Sequence, residues 1–327
     1  ESVLWLAVVL REISKSAIAK DFALIGGSAI VFLYRNMYRF STDIDLDFIG
    51  NKDLGSKSSK EVDERMEAGR KVFEKIASDL GLRFTQVKKK DRYAEYELRY
   101  SSRRGGAVGL DTSYRYCHSI LGTVIKDWQM ALDGVIEPFK VQTQQLEELY
   151  ASKITAIVET EDRLDFPDGI GILFKKKARH LFDVYQLIED IPKTPKLVNL
   201  EMLHNLVVLF GMTRIDRFEY RRGDAIGEYT AEQFEQELVP VVPRDAMTAT
   251  SEEIKLAIRK FFDATIFNWG EPEYSFIESF RKKLFRPEDL FGKGDISSQI
   301  KNMHYYKEIM DKVVPVKGMG KKKSTTK

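Results

Sequence analysis

Apolar residues recur at helical spacing over residues 2–19. Residues 22–25 then form a short apolar run closed by Gly26 and Gly27, which predicts a strand and a tight turn. A second helix is expected to leave that turn near Ser28. Residues 42–49 alternate strictly between polar and apolar side chains, as a strand with one buried face does. Residues 58–80 read as a charged helix ending at Gly81, a residue suited to a helix C-terminus. Three further strands are predicted over residues 82–87, 93–100 and 107–115, with residues 88–91 and 101–106 as hairpin loops. Beyond Thr143 the period turns helical, over residues 144–160, 175–189, 199–211, 231–237, 251–268 and 272–283. The expected fold class is α+β: a core with a small mixed sheet over residues 1–142, then a mainly helical domain over residues 143–316. Residues 317–327, rich in Gly, Lys, Ser and Thr, are expected to form a basic, disordered tail.

Composition narrows the classes. Lys and Arg number 52 against 50 Asp and Glu, a net charge of +2, so no global field draws the chain to nucleic acid and any polyanion site must be local. With 43% hydrophobic residues the chain can bury a core and is not disordered as a whole. A single cysteine, Cys117, can form no intramolecular disulfide and no Cys-rich zinc site, so a cytoplasmic location is expected. The longest apolar stretches fall well short of the roughly 18 to 20 residues that span a bilayer, which speaks against a membrane partner. Cys117 and His118 are adjacent, yet the four histidines show no metal-ligand spacing.

The sharpest chemical feature is the run Thr42-Asp43-Ile44-Asp45-Leu46-Asp47-Phe48. Side chains alternate along a strand, so the three acids share one face while Ile44, Leu46 and Phe48 enter the core. Such carboxylates could converge on a hard cation such as Mg²⁺; a solvated strand face accounts for them equally well. Gly26-Gly27-Ser28 stands earlier in the chain, with Ser28 fifteen residues before Asp43, where backbone N–H groups at a helix start favour phosphate and Ser28 can add a hydroxyl. By the same period Asp111 lies opposite Val108 and Leu110, and joins the acids if its strand neighbours theirs. Two metal ions about 3.5 to 4 Å apart on such carboxylates would stabilise attacking and leaving oxygens in a phosphoryl displacement. Lys153 falls inside the apolar stripe of its helix with Leu146, Leu149, Tyr150, Ile154 and Ile157, so it needs an anion or must snorkel to water. Arg179 and Asp183 stand four apart, a spacing that also suits an ordinary surface pair. Lys175, Lys176 and Lys177 read as a solvated charge run or as a contact to an RNA backbone.

Gly26-Gly27-Ser28-Ala29 followed by Arg39-Phe40-Ser41-Thr42-Asp43-Ile44-Asp45-Leu46 resembles the first motif of polymerase β-type nucleotidyltransferases, and in particular of the AbiEii/AbiGii toxin family. The segment from Leu149 to Ile157 resembles that family's lysine-bearing helix, and the segment from Ala178 to Tyr185 its Arg-Asp-aromatic-x-Asp helix, with His180 where the family often has Asp. The resemblance spans roughly residues 22–188. It implies a nucleotidyltransferase core whose active site lies in a cleft against the helical domain. An acceptor hydroxyl would attack the α-phosphate of a nucleoside triphosphate and release pyrophosphate. It further implies that Asp43 and Asp45 bind two Mg²⁺ ions, that Asp111 holds the ion activating the hydroxyl, and that Gly27, Ser28 and Lys153 cradle the β- and γ-phosphates. Arg179 would be a further nucleotide contact, and Asp183 would orient Lys153 or the nucleotide. The implied role is a toxin with a cognate antitoxin encoded nearby and transfer RNA as acceptor. A protein or small-molecule acceptor, or an inactive partner-binding module, are the alternative readings.

Overall fold

The computed structural model describes residues 1–35, 37–51, 54, 59–90, 92–102, 105–128, 136–158, 177–214, 218, 224–243 and 246–312. Among them seven strands form one mixed sheet: β1 (Phe22–Ile25), β2 (Asp43–Phe48), β3 (Arg83–Lys90), β4 (Tyr93–Tyr100), β5 (Gly106–Ser113), β6 (Thr123–Asp127) and β7 (Lys140–Gln144). Their order is β3-β4-β5-β2-β1-β7-β6. The acid-bearing strand β2 is central, antiparallel to β1 and parallel to β5.

Alternation along β2 sends Ile44, Leu46 and Phe48 to one face of the sheet, where they are buried with Phe22 and Leu24. Helices α1 (Ser2–Lys15) and α3 (Ser59–Asp79) cover that face. Phe22, Phe48 and Tyr114 stack or meet edge-on at 5.0 to 5.8 Å, and Phe73 of α3 closes on Phe22. Full burial of such a side chain contributes about 1.5 to 3 kcal/mol. The acids of β2 point the opposite way, toward α2 (Gly26–Ala29) and the π-helical turn Ile30–Tyr34 that continues it. Next to these lie α4 (Leu146–Val158) and, packed on α4, α5 (Ala178–Asp190) and α6 (Leu200–Arg214). Between Glu201 and Arg214 helix α6 is apolar apart from His204, Asn205 and Thr213, and it is buried in the middle of the helical part. One hydrophobic cluster runs from Leu6 to Ile309. No described helix is long and apolar enough to cross a membrane.

The structure departs from the expected elements in instructive places. Helix α1 stops at Lys15, four residues early, because Ser16 turns extended. Strand β3 runs on to Lys90, through the residues assigned to a loop, since Lys88, Lys89 and Lys90 pair with Glu95, Ala94 and Tyr93 after a bulge at Gln86/Lys88. Strands β6 and β7 were not expected at all: β7 reads Lys-Val-Gln-Thr-Gln and carries too few apolar residues to stand out. Gln144, expected to open a helix, ends that strand instead. The helix expected over 251–268 breaks at Phe262 into a π-helical turn, Phe262–Ile266. The tail, residues 317–327, lies outside the described residues.

Glu148, on the first turn of α4, is buried and holds the segment that leads from β5 to β6. It accepts hydrogen bonds from the Ile120 and Leu121 N–H groups at 2.7 and 3.3 Å and from the Ser119 hydroxyl. Glu148→Ala leaves the Ile120 and Leu121 N–H groups without that acceptor, while the Ser119 hydroxyl keeps the Gly122 carbonyl at 2.9 Å. We expect it to lower stability by about 2 to 4 kcal/mol, read from urea unfolding, and Glu148→Gln to cost distinctly less.

Candidate active site

Three expected acids share one face of the sheet. Asp45 lies directly opposite Asp111 on the parallel strand β5, and Asp43 lies opposite Gly109. Neighbouring strands stand about 4.8 Å apart, so Asp45 and Asp111 crowd one another. Burial, then the charge of Asp43, raises the Asp45 carboxyl above its usual range. Burial, then the charge of Asp45, pushes Asp111 up to about 7, with Glu95 and Asp43 adding to the effect. The Tyr93 hydroxyl lies 2.9 Å from Asp111 Oδ2 and 3.0 Å from Glu95 Oε1, and its single proton can serve only one of them at a time. Sequence reasoning passed over Tyr93. Its only signal was the shared period with Glu95 on β4, opposite Asp111.

The glycine pair explains itself through its neighbours. Gly26 has φ +71°, a left-handed conformation, and a Cβ there would collide with the Asp45 carboxylate. A Cβ on Gly27 would stand 2.5 Å from Arg39 Nη2. The turn therefore admits two charged side chains, and α2 begins with no side-chain cap over its first N–H groups. Ser28 is placed differently from expectation. Its side chain is fully buried and its hydroxyl donates to the Asp43 carbonyl and lies 3.0 Å from Ser41 Oγ. It ties helix to strand, and only the backbone of the turn is left to face a ligand.

Asp183 is a buried ion, with no exposure to solvent. Arg39 grips it with two parallel bonds, Nε to Oδ1 at 2.6 Å and Nη2 to Oδ2 at 2.8 Å, and the Tyr38 hydroxyl donates to Oδ1 at 2.8 Å. Lys153 Nζ lies 3.3 Å from Oδ2. Burial alone would raise this carboxyl. The charges of Arg39 and Lys153 and the hydrogen bonds from Arg39 and Tyr38 outweigh it and hold the group well below the carboxylate range. The surface pairing of Asp183 with Arg179 is thus overturned: Asp183 faces inward. Arg179 and Lys177 instead lie near enough to Asp45 to favour its charged form, as Lys153 does. Arg39 stands in the first motif with no role that the sequence assigns, because its partner lies 144 positions away.

A family model described as "Nucleotidyl transferase AbiEii toxin, Type IV TA system" matches residues 8–274. The chain belongs to this family. It is a nucleotidyltransferase toxin of a type IV toxin–antitoxin system, and that membership implies a cognate antitoxin. Its fold is similar to that of MenT4, a nucleotidyltransferase toxin from Mycobacterium tuberculosis, with 13% identity, a TM-score of 0.57 and coverage of 84% of this chain and 85% of that one. JHP933 from Helicobacter pylori matches at 15% identity and a TM-score of 0.47, over 80% of this chain and 88% of the other. No curated protein sequence matches.

Two further groups of the toxin complete the surroundings. His180 is held neutral by burial and by the charge of Lys153, and its buried Nδ1 has no hydrogen-bond partner. Asp47, the third acid of the alternating run, is 1% exposed, so it stands behind the site rather than in it. Gln144 Nε2 donates to its Oδ2 at 3.3 Å, its Oδ1 has no partner, and burial pushes its carboxyl up to about 7. Among the described residues no three His, Cys, Asp or Glu side chains form a group placed to hold a metal ion by themselves. Two crowded, proton-hungry carboxylates with a third beside them fit Mg²⁺, which takes one or two carboxylates and completes its shell with water and substrate phosphates.

Asp183→Ala abandons Arg39 and Lys153 in the interior. We expect a loss of about 3 to 5 kcal/mol in urea unfolding at pH 7. Asp47→Asn acts in the other direction. A carboxyl raised in the folded state stabilises fully below its unfolded pKa, and that contribution is lost as pH rises through the folded value near 7. Relative to the parent, Asp47→Asn should therefore gain thermal stability progressively from about pH 4 to pH 7 and hold the gain above it; a melting series between those limits reads it directly.

Proposed function

We propose that the toxin transfers a nucleotide from a nucleoside triphosphate to a hydroxyl of transfer RNA. The observation that carries this reading is the Asp45–Asp111 register pair set beside the Gly26–Gly27 turn and Lys153. The acceptor oxygen bonds to the α-phosphorus as the bond to the bridging oxygen breaks; pyrophosphate takes the electron pair and the hydroxyl proton is released to solvent. Asp43, Asp45 and Asp111 would hold Mg²⁺, which supplies charge stabilisation to the attacking and leaving oxygens when bound. The turn's N–H groups, Gly27 among them, face the phosphates, with the role first given to the Ser28 hydroxyl passing to its backbone. Lys153 spends one contact on Asp183, and an ammonium has three donors, so it retains protons for the β- and γ-phosphates. Burial lowers its affinity for a proton, and an arriving triphosphate reverses that effect. Arg179 and Lys177 add positive charge on the same side. Lys175 and Lys176, which were expected to extend that charge toward RNA, lie outside the described residues.

Asp45→Ala and Asp43→Ala should abolish transfer, and Asp45→Ala should melt at or above the parent temperature because it relieves repulsion at Asp111. Lys153→Met keeps the packing of its helix and should reduce transfer by a factor of about 100 or more. The decisive measurement incubates the toxin with total RNA, cell protein and each α-labelled triphosphate in Mg²⁺. Label in transfer RNA that disappears with Asp43→Ala is the expected result. Label confined to protein or to a small molecule replaces the acceptor, and nucleotide binding by the parent without any transfer removes the enzymatic reading.

A further inference from the structure

The registers of the sheet run in straight rows away from the acids. Asp45, Asp111, Glu95 and Lys88 lie in one row, and Asp47, Ser113, Tyr93 and Lys90 in the next. Residues paired across strands project to the same face. The row that begins at Asp45 therefore ends three strands away, about 14 Å, at Lys88. Arg83 and Arg99 form a further pair on β3 and β4.

The two faces of these strands differ sharply. On one, Ala94, Tyr96, Leu98 and Tyr100 are buried, with Trp5 of α1 stacked on Tyr100 and Phe73 of α3 against Tyr96. On the other, Tyr93, Glu95 and Glu97 are half-buried and Arg83, Lys88, Lys90 and Arg99 are exposed. Lys89, on the covered side, is pinned 2.6 Å from Asp63 of α3. On β3 and β4 four cations thus face two acids on the open side, and Asp111 follows on β5. Lys88 pairs with Glu95 at 3.4 Å and Arg99 with Glu97, and such exposed pairs are weak enough to yield to a stronger anion.

We infer that this open face of β3, β4 and β5 is where the acceptor RNA lies, with its phosphates on Arg83, Lys88, Lys90 and Arg99 and its reacting end at Asp111. The inference rests on the RNA reading above. A small acceptor would have no use for a basic surface that extends this far from the acids. A phosphate chain would use its whole width, and contacts of this kind fix position without reading sequence.

The test compares the parent, Lys88→Ala/Lys90→Ala and Lys88→Arg/Lys90→Arg, with matched melting temperatures as the folding control. Affinity for bulk transfer RNA is measured between about 50 and 200 mM salt, together with the affinity for each nucleoside triphosphate in Mg²⁺. The alanine pair should bind RNA at least about tenfold more weakly, with a salt slope shallower by about 1.4 to 1.8, while nucleotide affinity stays at the parent value and the arginine pair behaves as the parent. If the parent labels RNA and the alanine pair binds it with unchanged affinity and slope, the surface is wrong and the acceptor reading survives. If nucleotide affinity falls with RNA affinity, the defect lies in the active site and the surface is again wrong. A parent that neither binds nor labels RNA, or labels only protein, overturns both.

Discussion

The Asp183 carboxylate, buried and gripped by Arg39, is the interaction on which the site depends. It comes from helix α5, Arg39 from the segment that leads into β2, and Lys153 from α4, so one anion fixes three separate stretches of chain. A bidentate Arg–carboxylate pair sets orientation as well as distance. Two cations surround a single carboxylate, so the cluster carries an excess positive charge into the interior. That excess sits on Lys153, the member nearest Asp45 by its electrostatic effect.

The sheet supplies the opposite charge by a different device. Backbone register, not attraction, brings Asp45 and Asp111 together, since the hydrogen-bonded ladder of β2 and β5 determines which residues stand opposite. The cost appears as raised proton affinity in both carboxyls. Gly26 is part of the same device: its left-handed backbone makes the space that the Asp45 side chain occupies. Crowded anions on rigid strands and an under-compensated cation on a helix thus lie close enough to feel one another's charge. On the proposed reading a triphosphate with its metal, which carries both signs of charge, balances the two.

How much of this is legible in the sequence follows from range. Strand β2 and its acids are legible because alternation is a local property, and the Gly26–Gly27 turn because glycine pairs punctuate. Lys153 is legible because it interrupts an apolar stripe. Arg39 is not, since nothing near it in sequence says that its partner is Asp183. Ser28 is misread for a related reason: a hydroxyl beside glycines serves a ligand or a neighbouring carbonyl with equal ease, and only the packing of α2 on β2 decides for Asp43. Strands β6 and β7 escape because strands with polar alternate positions and few apolar ones resemble loops. Asp47 shares its period with Asp43 and Asp45, yet it is buried and bonded by Gln144, so periodicity assigns the face but not the depth.

A net charge of +2 gives no global pull on a polyanion. The sheet shows why the sum misleads. Its acids concentrate at the centre, on β2 and β5, and Arg83, Lys88 and Lys90 stand at the edge, on β3, with Glu95 and Glu97 between them on β4. Charges of opposite sign that cancel in the total are separated by strand spacings comparable with the Debye length of about 8 to 10 Å, so each end presents its own field to a ligand larger than that distance. An extended anion feels the basic edge before it feels the acids, and a compact metal–triphosphate feels the acids and Lys153. On the proposed reading, with RNA as acceptor, the same strand order that gathers the carboxylates separates the sites of RNA and nucleotide by size.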